Sequence, residues 1–367
     1  MFNGKRIRQV RELRGWTQNE LARRAGVSQG AIAQLEGGFK DASQGLIESI
    51  ATQTRFPISF FASQPAAEFS LNILLFRAHA SMTRREAVQA ARYSEIMYEL
   101  ALALWSRIEL KTPSFPRSPR NPEAAAREIR RLLNLPATEP IPHVINVVER
   151  CSILVLALPT NSARQDAFSL WSNGDQKNPI ICISECKAGD RLRLSVAHEL
   201  GHLVLMHHGS ASGDFEREAY RFSAELLMPA DAIRREMPSP LTLSGVAELK
   251  PRWRVSIQAL IRRAFDLQLI SNRQYRYLFE QLSIKGWRTK EPSNLDIPVE
   301  RPRGLRQMAE LTYGNPIDYD RFSADVHIHP ELLREIMRRF AESESRHSPE
   351  SIAASKVVLL HKRHAGA

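Results

Sequence analysis

The stretch Trp16–Gly38, WTQNELARRAGVSQGAIAQLEGG, decides the fold of the N-terminal part of the chain. Thr17 is suited to cap a helix, and Glu20 three residues later completes a capping box. Gly26 permits a sharp turn, and Ser28 can cap a second helix. Two helices joined by a tight glycine-containing turn form a helix-turn-helix, whose second helix enters the major groove of DNA.

Polar residues around the start of the second helix are the candidate DNA contacts. Glutamine can bind adenine through N6 and N7 together, so Gln29 is the main candidate for reading a base. Within Met1–Phe61, nine Lys and Arg face five Asp and Glu, a local excess of four positive charges. The other residues that we expect to contact DNA are Gln18, Ser28, Gly30, Gln34 and Lys40.

Composition and charge bound the class of protein. The chain has 367 residues, 43% hydrophobic and 25% charged, as in soluble proteins of two or three domains. Its 51 Lys and Arg against 40 Asp and Glu give a net charge of +11, which favours nucleic acid as a partner. The chain lacks the run of about 18 apolar residues that a membrane span needs. Met1–Val10 also lacks the apolar stretch of a signal peptide, so we expect a cytoplasmic protein with no membrane partner.

A second motif, HExxH, lies within Ser195–His202 (SVAHELGH). Four residues make about one helical turn, so His198 and His202 project side by side and can bind one ion. Glu199 can then reach a water on that ion and act as a general base. The flanking Leu and Val residues predict that this motif lies on a buried helix over Arg191–His208.

A catalytic zinc site takes three protein ligands and a water, so a third ligand is expected. The helix predicted over Asp214–Met228 offers Glu216 and Glu218. The spacing in zinc metallopeptidases with a glutamate ligand favours Glu216, four residues before a polar residue that here would be Tyr220. Glu218 is the alternative. We expect one Zn²⁺ ion, although two histidines and a carboxylate also suit Mn²⁺ and Fe²⁺.

Both motifs lie in longer stretches that resemble known families. The first stretch, followed by LIESIATQTRFPISFF, resembles Xre-type (lambda-repressor-like) regulators, which implies binding to a double-stranded, palindromic DNA operator as a homodimer. RLRLSVAHELGHLVLMHH and EREAYRFSAELLMP resemble the ImmA/IrrE metallopeptidases. That resemblance implies cleavage of a helix-turn-helix repressor in a stress or mobile-element response. At the position of Tyr220 the family usually has Asn or Asp, and that polar side chain orients a ligand histidine.

The expected fold is mainly α with a small β-sheet. The HExxH helix lies in an α+β, zincin-like domain with about three strands, and a helical C-terminal region follows it. The strands are predicted at Ser152–Leu158, Asp166–Trp171 and Pro179–Ile183. Six segments are expected: a five-helix helix-turn-helix domain at 1–62, a helical connector at 63–111, a Pro-rich linker at 112–122, the metallopeptidase domain at 123–230, a helical, helix-turn-helix-like subdomain at 231–290, and a C-terminal tail of unknown role at 291–367.

Two functions are consistent with these patterns. In the first, a DNA-binding transcriptional regulator carries a gluzincin-like zinc endopeptidase domain. This domain cuts a helix-turn-helix repressor or the protein's own chain, with weak or conditional activity. In the second, a repressor carries a metallopeptidase-like domain that senses a metal or ligand without proteolysis. Tyr220 favours the second function, and Glu199 favours the first because a structural zinc site needs no general base. His207 and His208 are expected to be solvated residues at the helix end, and contact with a substrate or an oxyanion is the alternative.

Overall fold

The computed structural model describes residues 2–66, 83–109, 121–158, 167–172, 175–184, 188–207 and 213–341, and the backbone of 361–362. Side chains of 109, 170–172 and 175–178 are not described. The predicted class is confirmed, since helices predominate and one small three-stranded sheet lies among them. Most of the expected Pro-rich linker (112–120), the part of the tail beyond 341 except 361–362, and His208 lie outside the described residues.

The N-terminal domain has the five helices that its sequence predicts. Both hydrogen bonds of the capping box between Thr17 and Glu20 are present. Gly26 adopts the left-handed conformation at φ 72°, and Ser28 accepts a hydrogen bond from the Ala31 N–H at 3.2 Å. The helices are α1 Gly4–Leu13, α2 Gln18–Ala25, α3 Gln29–Glu36, α4 Gln44–Thr54 and α5 Ile58–Ala62.

A long helix, α6 (Arg84–Trp105), lies along α1 and is joined to it by buried polar contacts. Arg6 of α1 forms an ion pair with Glu99 at 2.8 Å. Arg92 of α6 forms an ion pair with Glu12 at 2.8 Å. These pairs place α6 in a fixed position on the N-terminal domain, because breaking either one would leave a poorly solvated charge.

The sheet consists of the strands β2 Leu154–Leu158, β3 Phe168–Ser172 and β4 Asp175–Ser184. Their order is β2–β4–β3, with β2 parallel and β3 antiparallel to the central strand. Because side chains alternate between the faces of a strand, Leu156 and Cys182 lie in one core while Val155 and Ile181 lie in another. The sheet therefore separates two hydrophobic cores.

The second core contains the HExxH helix and the helices packed around it. The bounds are α7 Pro122–Leu132, α8 Val144–Arg150, α9 Gly189–Val204, α10 Gly213–Leu227, α11 Ala230–Glu236, α12 Leu243–Trp253, α13 Ile257–Asp266 and α14 Asn272–Ile284. Helix α7 begins at Pro122, inside the segment expected to be a linker, because proline is well suited to the first helical position. None of the described helices combines the length and apolarity needed to cross a membrane.

The segment expected to be a tail contains a short 3₁₀ turn at Ser293–Leu295 and further helices that complete the first core. Glu300, which precedes these helices, forms a buried ion pair with Arg193 of α9. Residues 361–362 (β5) pair with residues 108–109 (β1) as an antiparallel ladder. The helices are α15 Gly304–Tyr313, α16 Tyr319–Val326 and α17 Pro330–Met337.

The first core is shared between the two ends of the chain. It contains Ile7 of α1 and Phe340, which follows α17, together with one face of the sheet. Helix α6 packs against α1 and also against β2 and α15. The helix-turn-helix domain is therefore packed against the body of the protein through α6.

Lys250 of α12 provides a test of the buried ionic contacts. Its side chain is 2% exposed, and its Nζ lies 2.6 Å from a carboxylate oxygen of both Asp190 of α9 and Glu291. Lys250→Met should lower the free energy of unfolding by about 3–5 kcal/mol, because two buried carboxylates lose their partner. Urea denaturation monitored by circular dichroism measures this change.

Arg252 on the same helix is the matched control. Its side chain is 45% exposed and pairs with Glu236 and Glu139 at 3.0 Å. Arg252→Met should cost much less than Lys250→Met, since solvent screens exposed pairs. Equal losses in the two variants would contradict a special role for the buried pair.

Candidate metal centre and nucleic-acid interface

Helices α9 and α10 bring three potential metal ligands together. His198 and His202 lie one turn apart on α9, with their Nε2 atoms 3.1 Å from each other. Glu216 of α10 places one carboxylate oxygen 3.1 Å from Nε2 of His198 and the other 3.4 Å from Nε2 of His202. The structure thus brings Glu216, rather than Glu218, to the two imidazoles of the HExxH motif.

The chemistry of this group fits a divalent cation. One ligand atom from each residue lies within 4.8 Å of the other two, and all three can present a lone pair. A hydrogen bond from His198 is the leading cause that holds the pKa of the Glu216 carboxyl well below its ordinary value. Two imidazoles and an ionised carboxylate are a donor set that suits zinc, manganese or iron.

Glu199 is buried beside these residues, with its carboxylate fixed by the edge strand β3. Oε2 of Glu199 accepts hydrogen bonds from the backbone N–H of Ser169 at 2.8 Å and from its hydroxyl at 2.7 Å. Only 6% of Glu199 is exposed. No local pattern predicts this role of Ser169, because the contact joins residues 30 positions apart.

His207 is also part of the site, contrary to the expectation of a solvated helix end. It is 6% exposed, and its Nδ1 lies 3.0 Å from Nδ1 of His202. Its Nε2 lies 3.0 Å from Oε2 of Glu218. Burial lowers the pKa of His207, which favours the neutral ring at pH 7. Glu218, the alternative third ligand, contacts His207 and reaches the ligand residue His202 only through it.

Tyr220 packs against the second core. Its ring belongs to the apolar surroundings of the second core, and the guanidinium of Arg262 lies 5.8 Å from the ring centroid. The position at which the family usually has Asn or Asp thus contributes packing in this chain. Polar contact with His202 comes from His207 instead.

The predicted DNA-contacting residues lie on and around α2 and α3. Gln29 at the start of α3 donates a hydrogen bond from Nε2 to Oε1 of Gln18 at 2.7 Å. Nε2 of Gln18 in turn donates to Glu36 at 2.9 Å, and Glu36 is also paired with Arg11. This series of contacts orients the amide of Gln29. Gln18 is partly buried, and the remaining candidates are exposed, namely Ser28, Gly30, Gln34 and Lys40.

The close approach of α9 and α10 depends on Gly201. A β-carbon at this position would lie 3.0 Å from Cδ1 of Phe222 and 3.2 Å from the Ala219 carbonyl oxygen, both on α10. Gly201→Ala should therefore push α10 and Glu216 away from the histidines. We expect a loss of about 1–3 kcal/mol in stability and weaker zinc binding. Thermal unfolding and competition with a zinc chelator measure the two effects.

Gly45 of α4 is the control for this substitution. A β-carbon there meets nothing within 4 Å, so Gly45→Ala should be neutral or should stabilise the helix by up to about 1 kcal/mol. Unchanged zinc binding and stability in Gly201→Ala would show that the spacing of the two helices does not depend on this glycine.

Comparisons with known proteins agree with the two motifs. A helix-turn-helix family model matches residues 7–61, and a model of the IrrE N-terminal-like domain, a peptidase family, matches residues 148–265. Curated proteins give no match. A crystal structure of Bacillus thuringiensis PlcR in complex with the peptide PapR7 and DNA is 14% identical, covers 78% of this chain and 99% of that chain, and has a TM-score of 0.16, which supports no conclusion. The chain therefore combines an Xre-like helix-turn-helix domain with an IrrE/ImmA-like peptidase domain, as the two resemblances implied.

Proposed function

We propose that the protein is a DNA-binding transcriptional regulator whose second domain is a zinc-dependent endopeptidase. The observation that supports this most directly is the convergence of His198, His202 and Glu216, with their facing atoms 3.1–3.4 Å apart. Glu199, buried next to this group, is the candidate general base. A structural metal site would have no use for that carboxylate.

The roles of the residues follow from their positions. When bound, a divalent ion supplies Lewis-acid chemistry, which polarises a peptide carbonyl and makes water more acidic. Glu199 would accept the proton of the attacking water and deliver it to the leaving amine. Ser169 keeps one oxygen of that carboxylate in place during both transfers. His198, His202 and Glu216 would hold the ion.

The substrate we propose is an extended segment of a helix-turn-helix repressor, either in trans or in the protein itself. Strand β3 has one neighbour, β4, in the described sheet, so its other side faces the region of Glu199. An extended peptide can pair with such a strand edge. The two family resemblances support a repressor as the target.

Cleavage tests the peptidase. Wild-type protein loaded with Zn²⁺ should cut either itself or a repressor encoded nearby, and Glu199→Gln should be slower by about 100-fold or more, as expected for loss of a general base. Gel electrophoresis and mass spectrometry of the products measure the rate and the cleaved bond. Exposed Glu248 on α12 provides the control, because Glu248→Gln should cut at the wild-type rate. Equal rates for wild type and Glu199→Gln would contradict the proposed mechanism.

For the N-terminal domain, we propose sequence-specific binding to a palindromic, double-stranded operator as a homodimer. The amide of Gln29 is oriented by Gln18 and Glu36, which favours bidentate contact with a base over a mobile contact with phosphate. Lys40 is exposed and would contribute a phosphate contact.

Binding measurements test this assignment. Gln29→Ala should reduce the preference for the operator over random DNA by about 1–3 kcal/mol, whereas Lys40→Ala should weaken both equally and lower the salt dependence. Fluorescence anisotropy at several salt concentrations separates the two effects. Gln53→Ala, at an exposed glutamine on α4, is the control. An unchanged preference in Gln29→Ala would place the base contacts elsewhere.

The second candidate is a repressor whose peptidase-like domain senses a metal or ligand without cutting. The ion pairs Arg6–Glu99 and Arg92–Glu12 favour it, because they could transmit a change in the body of the protein to the DNA-binding helices. No cleavage under any condition, together with operator affinity that depends on Zn²⁺, would support this function over the first.

A further inference from the structure

The end of α9 places His207 against His202 through a specific backbone geometry. Met206 adopts the left-handed conformation at φ 59°. The N–H of His207 donates to the carbonyl oxygen of His202 at 3.0 Å, and the N–H of Met206 donates to that of Leu203 at 3.4 Å. These two bonds form a Schellman motif. The motif commonly brings the side chains at its first and last positions, here His202 and His207, into contact.

The His207 ring is held from both sides. It stacks on Phe215 of α10, with ring centroids 4.4 Å apart and an angle of 15° between the planes. Its Nε2 faces Oε2 of Glu218 and its Nδ1 faces Nδ1 of His202, each at 3.0 Å. The side chain is 4% exposed. Both ring nitrogens are therefore directed at defined partners.

The chemistry of the groups determines which atom donates and which accepts in the contacts from Glu218 through His207 to His202. A carboxylate accepts only, so Nε2 of His207 must carry the proton that it donates to Glu218. In the neutral ring, Nδ1 of His207 is then an acceptor. It can bond only to a protonated Nδ1 of His202, and in the neutral tautomer of His202 this leaves Nε2 without a proton. That atom is the one that faces His198 and Glu216.

We propose that Glu218 and His207 are positioning residues that fix His202 in the tautomer able to bind a metal through Nε2. This inference rests on the proposed metal site and extends it to two residues outside the ligand group. A partner that fixes the tautomer and orientation of a ligand histidine typically raises metal affinity by about 10- to 100-fold.

The first test measures the tautomers directly in the metal-free full-length protein. Two-bond ¹⁵N–¹H spectra of ¹⁵N-histidine-labelled protein at pH 8 should show His207 protonated at Nε2 and His202 at Nδ1. Glu218→Ala should give a mixture of tautomers at His202. Glu218→Gln should preserve the wild-type state, because its amide oxygen still accepts a hydrogen bond. His202 protonated at Nε2 in the wild type, or unaffected by Glu218→Ala, would overturn the proposal.

The second test measures Zn²⁺ affinity by competition with a chromophoric chelator. His207→Phe keeps a ring to stack on Phe215 but removes both nitrogens, so it should bind Zn²⁺ about 10-fold more weakly or worse. Glu218→Ala should weaken binding similarly and Glu218→Gln much less. Glu248→Ala on the surface of α12 should bind as the wild type does. Wild-type affinity in both His207→Phe and Glu218→Ala would contradict a positioning role.

His198→Ala separates this proposal from the metal site on which it rests. The variant should lose stoichiometric Zn²⁺ binding, because it lacks a direct ligand. If it binds Zn²⁺ as well as the wild type, the proposed metal site is wrong, and the tautomer spectra alone then decide whether Glu218 and His207 control His202.

Discussion

Helix α9 is buried along most of its length although it carries ionisable groups, and each of those groups needs a partner. This requirement organises the second half of the chain. An unpaired charge in such surroundings costs several kcal/mol, so the helix can occupy its place only when distant segments supply the partners. The pairs are Asp190 with Lys250, Arg193 with Glu300, Glu199 with Ser169 and His202 with His207. The candidate metal centre is thus a product of the whole domain rather than of one motif.

Local patterns in the sequence predicted much of this structure. The capping box at Thr17, the turn at Gly26 and the five helices around them depend on residues within a few positions of one another. The four-residue spacing of His198 and His202 likewise places two imidazoles on one helix face without any tertiary information. The strands were predicted to within a few residues, because runs of β-branched and other apolar residues are typical of buried strands.

Contacts between distant segments could not be predicted in the same way. Periodicity shows which face of a helix is buried, but it does not show which segment covers that face. Ser169, Lys250 and Glu300 are polar residues that nothing local distinguishes from surface residues. His207 was misjudged because its position depends on the left-handed conformation of Met206, a non-glycine residue in a conformation that usually calls for glycine. The bounds of the helices after Gly304 could not be predicted, because prolines interrupt the sequence repeatedly from Pro292 onward.

The shared first core would hold the two fragments together if the protein cleaved its own backbone in the segment between α6 and α7. After such a cut helix α6 would be in the N-terminal fragment, whereas β2 and α15, against which it packs, would be in the C-terminal fragment. A break in the backbone of that segment would leave the two fragments associated, as in a nicked protein whose halves remain folded together. Release of the DNA-binding helices would then require dissociation of an apolar interface as well as hydrolysis of a bond. Cutting a separate repressor meets no such barrier.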